Sequence, residues 1–332
     1  MIIRILLLSV LLAASPTYAG LKDDAAVHGW IYGCAATSAD LQDPTLRTAI
    51  AQNCSLLSST VGGKMHEVTP QPGIWDFSDL DRVADFARTQ GQALHIHTLV
   101  WGRDDKNPAW LLRLSSSQRQ DFMREYIRAV LSRYPEARYV DVVNEPVSFS
   151  ANLWEYAMGE QYLDIAFAEA RQTTNATLVL NEYGLEWDIS KQQAMLALLQ
   201  RLKNRGVPVQ ALGLESHLSA MPAPKPFRQL VHQVRKLGIE VLVTELDVRN
   251  TADDNFVANV YCRYLWLLRK VKIGVVQTWG LRDPSSSYRP LPLDSNSQVK
   301  LAYGAIASTL QNASFMAPSE KKRGECQYGE YQ

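Results

Sequence analysis

Tyr-Val-Asp-Val-Val-Asn-Glu-Pro (residues 139–146) and Val-Leu-Val-Thr-Glu-Leu-Asp (241–247) are apolar runs, and glutamates close them, Glu145 and Glu245. A run rich in Val and Leu is buried on both faces only inside a covered sheet, so a carboxylate at its carboxyl end projects from the mouth of that sheet. Working outward, short apolar runs recur at 30–35, 55–59, 93–99, 139–143, 177–181, 210–215, 240–245 and 273–278. Amphipathic helical patterns separate them at about 43–53, 78–90, 115–134, 152–173, 189–204, 226–237, 254–270 and 298–310. Ser78 with Asp81 three residues on reads as an N-terminal capping arrangement, and Gly91 and Gly206 fall just past helix ends. Strict alternation of strand and helix predicts a parallel sheet with right-handed crossovers, and eight such units predict an α/β fold, a single-domain (β/α)8 barrel.

The flanking segments and the composition bound the rest. Met1 to Arg4 precede the apolar run Ile5 to Ala14, and the small residues before Gly20 suit a signal peptidase. This predicts a signal peptide over 1–19, a catalytic barrel over 20–315, a polar tail over 316–332, and a secreted or periplasmic location. The apolar run is shorter than the roughly 20 residues of a membrane span, and no later segment qualifies, so none is expected after cleavage. Basic and acidic residues balance at 34 each, with no basic cluster, which argues against a nucleic-acid partner. Four cysteines allow three pairings. Cys34 with Cys54 and Cys262 with Cys326 is the favoured set, with four buried free thiols the alternative.

A barrel brings its strand ends to one face. Lys64, His97, Trp101, Asn144, Glu145, Asn181, Glu182, Glu215, His217, Glu245, Asp247 and Trp279 all lie at or just after candidate strands, and so converge there. Indoles pack on pyranose faces while carboxylates and amides meet hydroxyls, which points to a sugar. Two carboxyls about 5–5.5 Å apart across such a cleft serve a retaining glycosidase, one as acid/base and one as nucleophile.

Six motifs occur in order: Gly-Ile-Trp-Asp-Phe (73–77), His-Thr-Leu-Val-Trp (97–101), Asp-Val-Val-Asn-Glu (141–145), Gly-Leu-Glu-Ser-His-Leu (213–218), Thr-Glu-Leu-Asp (244–247) and Thr-Trp-Gly (278–280). Together they resemble glycoside hydrolase family 10, the endo-β-1,4-xylanase family, from about Gly29 to Ala307. The resemblance implies Glu145 as acid/base, Glu245 as nucleophile, His217 as the nucleophile's partner and Asn144 on the sugar 2-hydroxyl. Lys64, His97, Trp101 and Trp279 match positions around the distorted sugar. No metal or cofactor is implied, and the expected partner is a β-linked polysaccharide or oligosaccharide, bound by a monomer.

The departures are specific. Thr60-Val61 stands where the family has Glu-Asn contacting the next sugar outward, Glu215 where it has Gln, and Tyr288 where it commonly has Trp. Glu215 beside Glu245 predicts that one of them holds a proton or gains a cation, with His217 the nearest candidate. Arg103, in a Gly-Arg pair replacing His-Ser, is a candidate for reading an acidic sugar. Two other readings remain: a glycan-binding or assembly protein with an impaired site, and a metal-dependent hydrolase built on His95 and His97 with His217 and Asp247.

Overall fold

The computed structural model describes residues 20–249, 253–284 and 289–312. The expected signal peptide, the polar tail and Tyr288 lie outside the described residues. Eight parallel strands form the barrel: β1 Ile31–Ala36, β2 Leu56–Ser59, β3 Ala93–Ile96, β4 Ala137–Asn144, β5 Thr177–Glu182, β6 Ala211–Leu214, β7 Glu240–Val248 and β8 Val275–Thr278. Each pairs with its neighbour in sequence, and β8 pairs with both β7 and β1, which closes the sheet. Helices Pro44–Asn53, Ser78–Thr89, Ser116–Arg133, Gln161–Thr173, Ile189–Asn204, Pro224–Lys236, Asp254–Lys270 and Leu301–Leu310 follow the strands in turn.

The barrel interior is layered, because side chains two apart on a strand share a face. At its floor Ile31, Leu56, Ala93, Tyr139, Val179, Ala211, Leu242 and Val275, one from each strand, form an apolar cluster. Two residues further along, the same faces carry Gly33, Ser58, His95, Asp141, Asn181, Gly213, Thr244 and Gln277, polar but for the two glycines. They satisfy one another: Gln277 bridges His95 Nδ1 (3.0 Å) and Ser58 Oγ (2.8 Å), His95 Nε2 meets Asp141 (2.9 Å), and Thr244 donates to Asn181 (2.7 Å). Gly213 must be glycine, since a Cβ there would lie 2.2 Å from the Asn181 amide oxygen. Above this layer the strands open into the cleft.

Local details refine the sequence reading. The helical pattern at 152–173 divides into Leu153–Met158 and Gln161–Thr173, because Gly159 takes φ +60 and breaks the ladder. The run 93–99 stays in the barrel only to Ile96, and Val100–Trp101 forms a short separate pairing with β4. Ser78 is not the cap of its helix. It is the first helical residue, Phe77 occupies the cap without a side-chain bond, and the Ser78 N–H donates to Asp76. Gly91 and Gly206, with φ +65 and +75, do follow helix ends. A further helix, Leu21–Ala26, precedes β1 and is tied by Asn53 Oδ1, which accepts from Leu21 N (3.1 Å) and the Tyr303 hydroxyl (2.8 Å).

Cys34, within β1, and Cys54, ahead of β2, form a buried disulfide. Cys262 is disulfide-bonded as well; its expected partner, Cys326, lies outside the described residues. The 34–54 bridge spans 20 positions, so it restricts the unfolded chain considerably. Replacing both cysteines by alanine is predicted to lower the unfolding free energy by about 3 kcal/mol. Chemical denaturation measures this, and an unchanged midpoint would contradict it.

Candidate active site

The cleft is built where β4, β6 and β7 end. Glu145 follows the last residue of β4, Glu215 the last residue of β6, and Glu245 lies within β7. All three are buried. Glu145 takes φ +53, a left-handed conformation unusual for a residue with a side chain, and its N–H is held by the Asn181 carbonyl at 2.8 Å. Ser216 takes φ +60 between Glu215 and His217, and its hydroxyl is anchored behind the site by Glu186 (2.7 Å) and Tyr264 (2.8 Å). Two strained turns therefore present the functional side chains, and packed polar groups hold each turn.

Glu245 is the most supported carboxylate. Asn181 Nδ2 donates to its Oε1 at 2.9 Å, His217 Nε2 lies 3.3 Å from its Oε2, and His97 Nδ1 lies 3.6 Å from its Oε1. Burial opposes its ionisation, but the imidazoles of His97 and His217 outweigh it and hold the carboxyl below the ordinary glutamate value. His217 is correspondingly raised to about 9, because Asp247 and Glu245 overcome its desolvation. Glu145 meets the opposite balance. Burial raises it to about 7, against hydrogen bonds from Glu215 and from Trp101 Nε1 (2.9 Å), with Glu182 and Glu245 adding to the rise.

Glu215 answers the question its sequence position posed. Burial first, then the charges of Glu245, Glu145 and Glu182, drive it well above the usual carboxylate range, so it holds a proton and shares a hydrogen bond with Glu145. His217 Nε2 is 3.6 Å away, nearer to Glu245 than to Glu215.

The remaining expected residues surround this trio. Asn144 is fixed by Asn181 Nδ2 donating to its Oδ1 at 2.9 Å, which leaves its own amide N–H groups for a ligand. Lys64 is buried, bonded to the Thr60 carbonyl, and its ammonium sits 5.9 Å from the Trp101 ring and 5.8 Å from the Trp279 ring. Desolvation lowers it to about 8, against the attraction of Glu245. Its loop fits because Gly63 has no side chain; a Cβ there would lie 2.2 Å from the His97 carbonyl. Trp279 stands edge-on to His97 and His217, at centroid distances of 5.2 and 6.3 Å. Thr60 and Trp279 share the wall of a cavity of about 510 Å³ with Asp40, Asp247 and Arg282. Arg103 lies over Trp101 and is paired with Asp105 at 2.6 Å, so its charge is already matched.

His95 and His97 do not assemble with His217 and Asp247 as a metal site. Asp141 takes both rings, His95 Nε2 at 2.9 Å and His97 Nδ1 at 2.8 Å, and the other nitrogen of His95 faces Gln277. Asp141 is fully buried yet falls to about 2, because the two imidazoles overcome its desolvation. Its role was not read from the sequence. A charged residue inside the Val-rich run 139–143 was the available signal.

The model for "Glycosyl hydrolase family 10" matches residues 20–309. This chain belongs to glycosyl hydrolase family 10. It is 31% identical to a beta-1,4-xylanase of Dictyoglomus thermophilum, over 73% of this chain and 78% of that one. Against an endo-1,4-beta-xylanase of Agaricus bisporus the identity is 30%, over 73% and 76%. Among solved structures, native xylanase 10B from Thermotoga maritima shares the fold with a TM-score of 0.82 at 24% identity, over 88% of this chain and 98% of that one. A psychrophilic family 10 endo-beta-1,4-xylanase gives 0.81 at 26%, over 87% and 99%. The family 10 chain is thus a glycosidase, similar to endo-1,4-β-xylanases.

The charge states give a pH expectation with a definite sign. An acid role for Glu145 needs its proton, so kcat/KM is predicted to fall as pH rises through about 7. On the acid side activity falls only when Glu245 takes a proton, below the ordinary glutamate range. A pH series of initial rates on an oligosaccharide measures this; activity that keeps rising well above pH 7 would contradict the assignment of the acid.

Proposed function

We propose that this chain is a retaining endo-glycosidase that cleaves internal β-1,4 linkages of xylan or a related β-linked polysaccharide by double displacement. One observation carries the reading: within one buried cluster Glu145 is biased towards its protonated form and Glu245 towards its ionised form. Paired carboxyls pushed apart in this way divide naturally into acid and nucleophile.

In the first step Glu245 attacks the anomeric carbon while Glu145 gives its proton to the departing glycosidic oxygen. Glu145 is then an anion able to take a proton from water, which displaces the sugar from Glu245 and restores both groups. His217 and Asn181 keep Glu245 charged and aimed. The free amide of Asn144 meets the sugar 2-hydroxyl, a contact that strengthens at the transition state. Lys64, His97, Trp101 and Trp279 enclose the sugar whose bond is broken. Thr60 offers no carboxylate to the next sugar outward, so binding on that side is weaker or less selective than where a glutamate stands.

Export fits the apolar run Ile5 to Ala14 and the Cys34–Cys54 disulfide, which persists in an oxidising compartment. Among the described residues no helix is long and apolar enough to cross a membrane.

Proton NMR of xylo-oligosaccharide hydrolysis tests the reading, with the β-anomer expected as the first-formed product. Glu245→Ala should abolish cleavage. Glu145→Ala should slow it by about 10²–10⁴-fold on natural linkages and far less on aryl glycosides whose leaving group needs no proton. An α-anomer as first product, or equal losses on both substrate types, would contradict these two roles.

A further inference from the structure

Glu215, His217 and Glu245 are more than neighbours. Each offers one ligand atom, and the three atoms lie within 4.8 Å of one another. His217 Nε2 is 3.6 Å from Glu215 Oε2 and 3.3 Å from Glu245 Oε2. Bonds of the length zinc makes to nitrogen and oxygen, set at tetrahedral angles, put ligand atoms about 3.4 Å apart. Both pairs that include His217 are already near that spacing.

The far side of the histidine supplies an independent observation. His217 Nδ1 lies 3.0 Å from Asp247 Oδ1. The Asp247 charge beside Nδ1 favours keeping a proton on that nitrogen when His217 gives one up, which frees Nε2 for a cation; the ring as it stands makes no hydrogen bond from Nδ1. Glu215 and Glu245 are 3% and 4% exposed, so their oxygens are held by the fold rather than swinging in solvent. Asn181 Nδ2 donates to Glu245 Oε1 at 2.9 Å and lies 3.3 Å from Glu215 Oε1, and both Oε2 atoms face His217 Nε2. One imidazole with two carboxylates suits zinc, whereas calcium and magnesium prefer all-oxygen shells.

We propose that Glu215, His217 and Glu245 form a zinc site whose occupation switches the active centre off. Zinc is held by two carboxylates and a neutral imidazole, with solvent in the fourth position, and Glu215 and His217 give up any protons they carry to the medium. Glu245 is then a ligand and is withdrawn from attack. This consequence for activity rests on the retaining-glycosidase function; the binding itself does not. Glu215 is central, because a glutamine there offers a far weaker oxygen donor.

Zinc titration of the full chain by calorimetry, in a non-coordinating buffer, tests the site directly. One equivalent is expected to bind. Glu215→Gln should weaken it by at least about tenfold, and Asp247→Asn by about 10–100-fold. Zinc should lower the apparent kcat on xylan, with a chelator restoring it. No saturable binding, or an affinity indifferent to both substitutions, would overturn the proposal. If either variant does not fold, X-ray absorption on the zinc-loaded unaltered chain decides. One imidazole with oxygen ligands supports the site, while two imidazoles would place the metal on other histidines and overturn it. An active chain indifferent to zinc removes this inference alone, and a zinc-binding chain inactive on every β-glycan removes the functional reading alone.

Discussion

Glu245 has to remain charged in a space it shares with two other carboxyls, and the cleft is arranged around that demand. Like charges this close cannot all ionise. The fold resolves the conflict unequally: His217, His97 and Asn181 surround Glu245, whereas Glu145 and Glu215 face each other, burial and one indole N–H. The result is one anion and two proton carriers, an asymmetry set by burial and partners rather than by residue type.

That asymmetry depends on the polar layer beneath it. Asp141 holds His97, which in turn stands beside Glu245; Gln277, itself donating to Ser58, holds His95 on the other side. Such a network is stabilising only when every member is satisfied, and the apolar floor below keeps water from competing. The backbone cooperates through the left-handed turns at Glu145 and Ser216, each fixed by a bond from another strand or helix. Both sites of strain lie next to chemistry, where backbone strain commonly concentrates.

Much of this was legible in the sequence, because barrel strands carry their signal locally. Each Val- and Leu-rich run from 30–35 to 273–278 overlaps a strand of the barrel, and the glutamates closing two of them do meet in one buried cluster. Features that depend on contacts between distant segments were hidden. Asp141 reads as an oddity within a strand until β3 brings His95 and His97 beside it. The burial of Lys64 depends on Gly63 passing the His97 carbonyl, which no local pattern reveals. The break at Gly159 was visible as a glycine, but tolerated helical glycines look the same. Ser78 shows the converse: a capping pattern was present, and the backbone began the helix one residue earlier.

The central claim is that Glu245 bonds covalently to the sugar while Glu145 manages the proton. Incubating the chain with a 2-deoxy-2-fluoro xylobioside bearing a good leaving group, followed by proteolysis and mass spectrometry, reads this directly. One glycosyl adduct per chain is predicted, on Glu245. An adduct on Glu145 or Glu215, or turnover of ordinary substrate with no adduct at any residue, would contradict it.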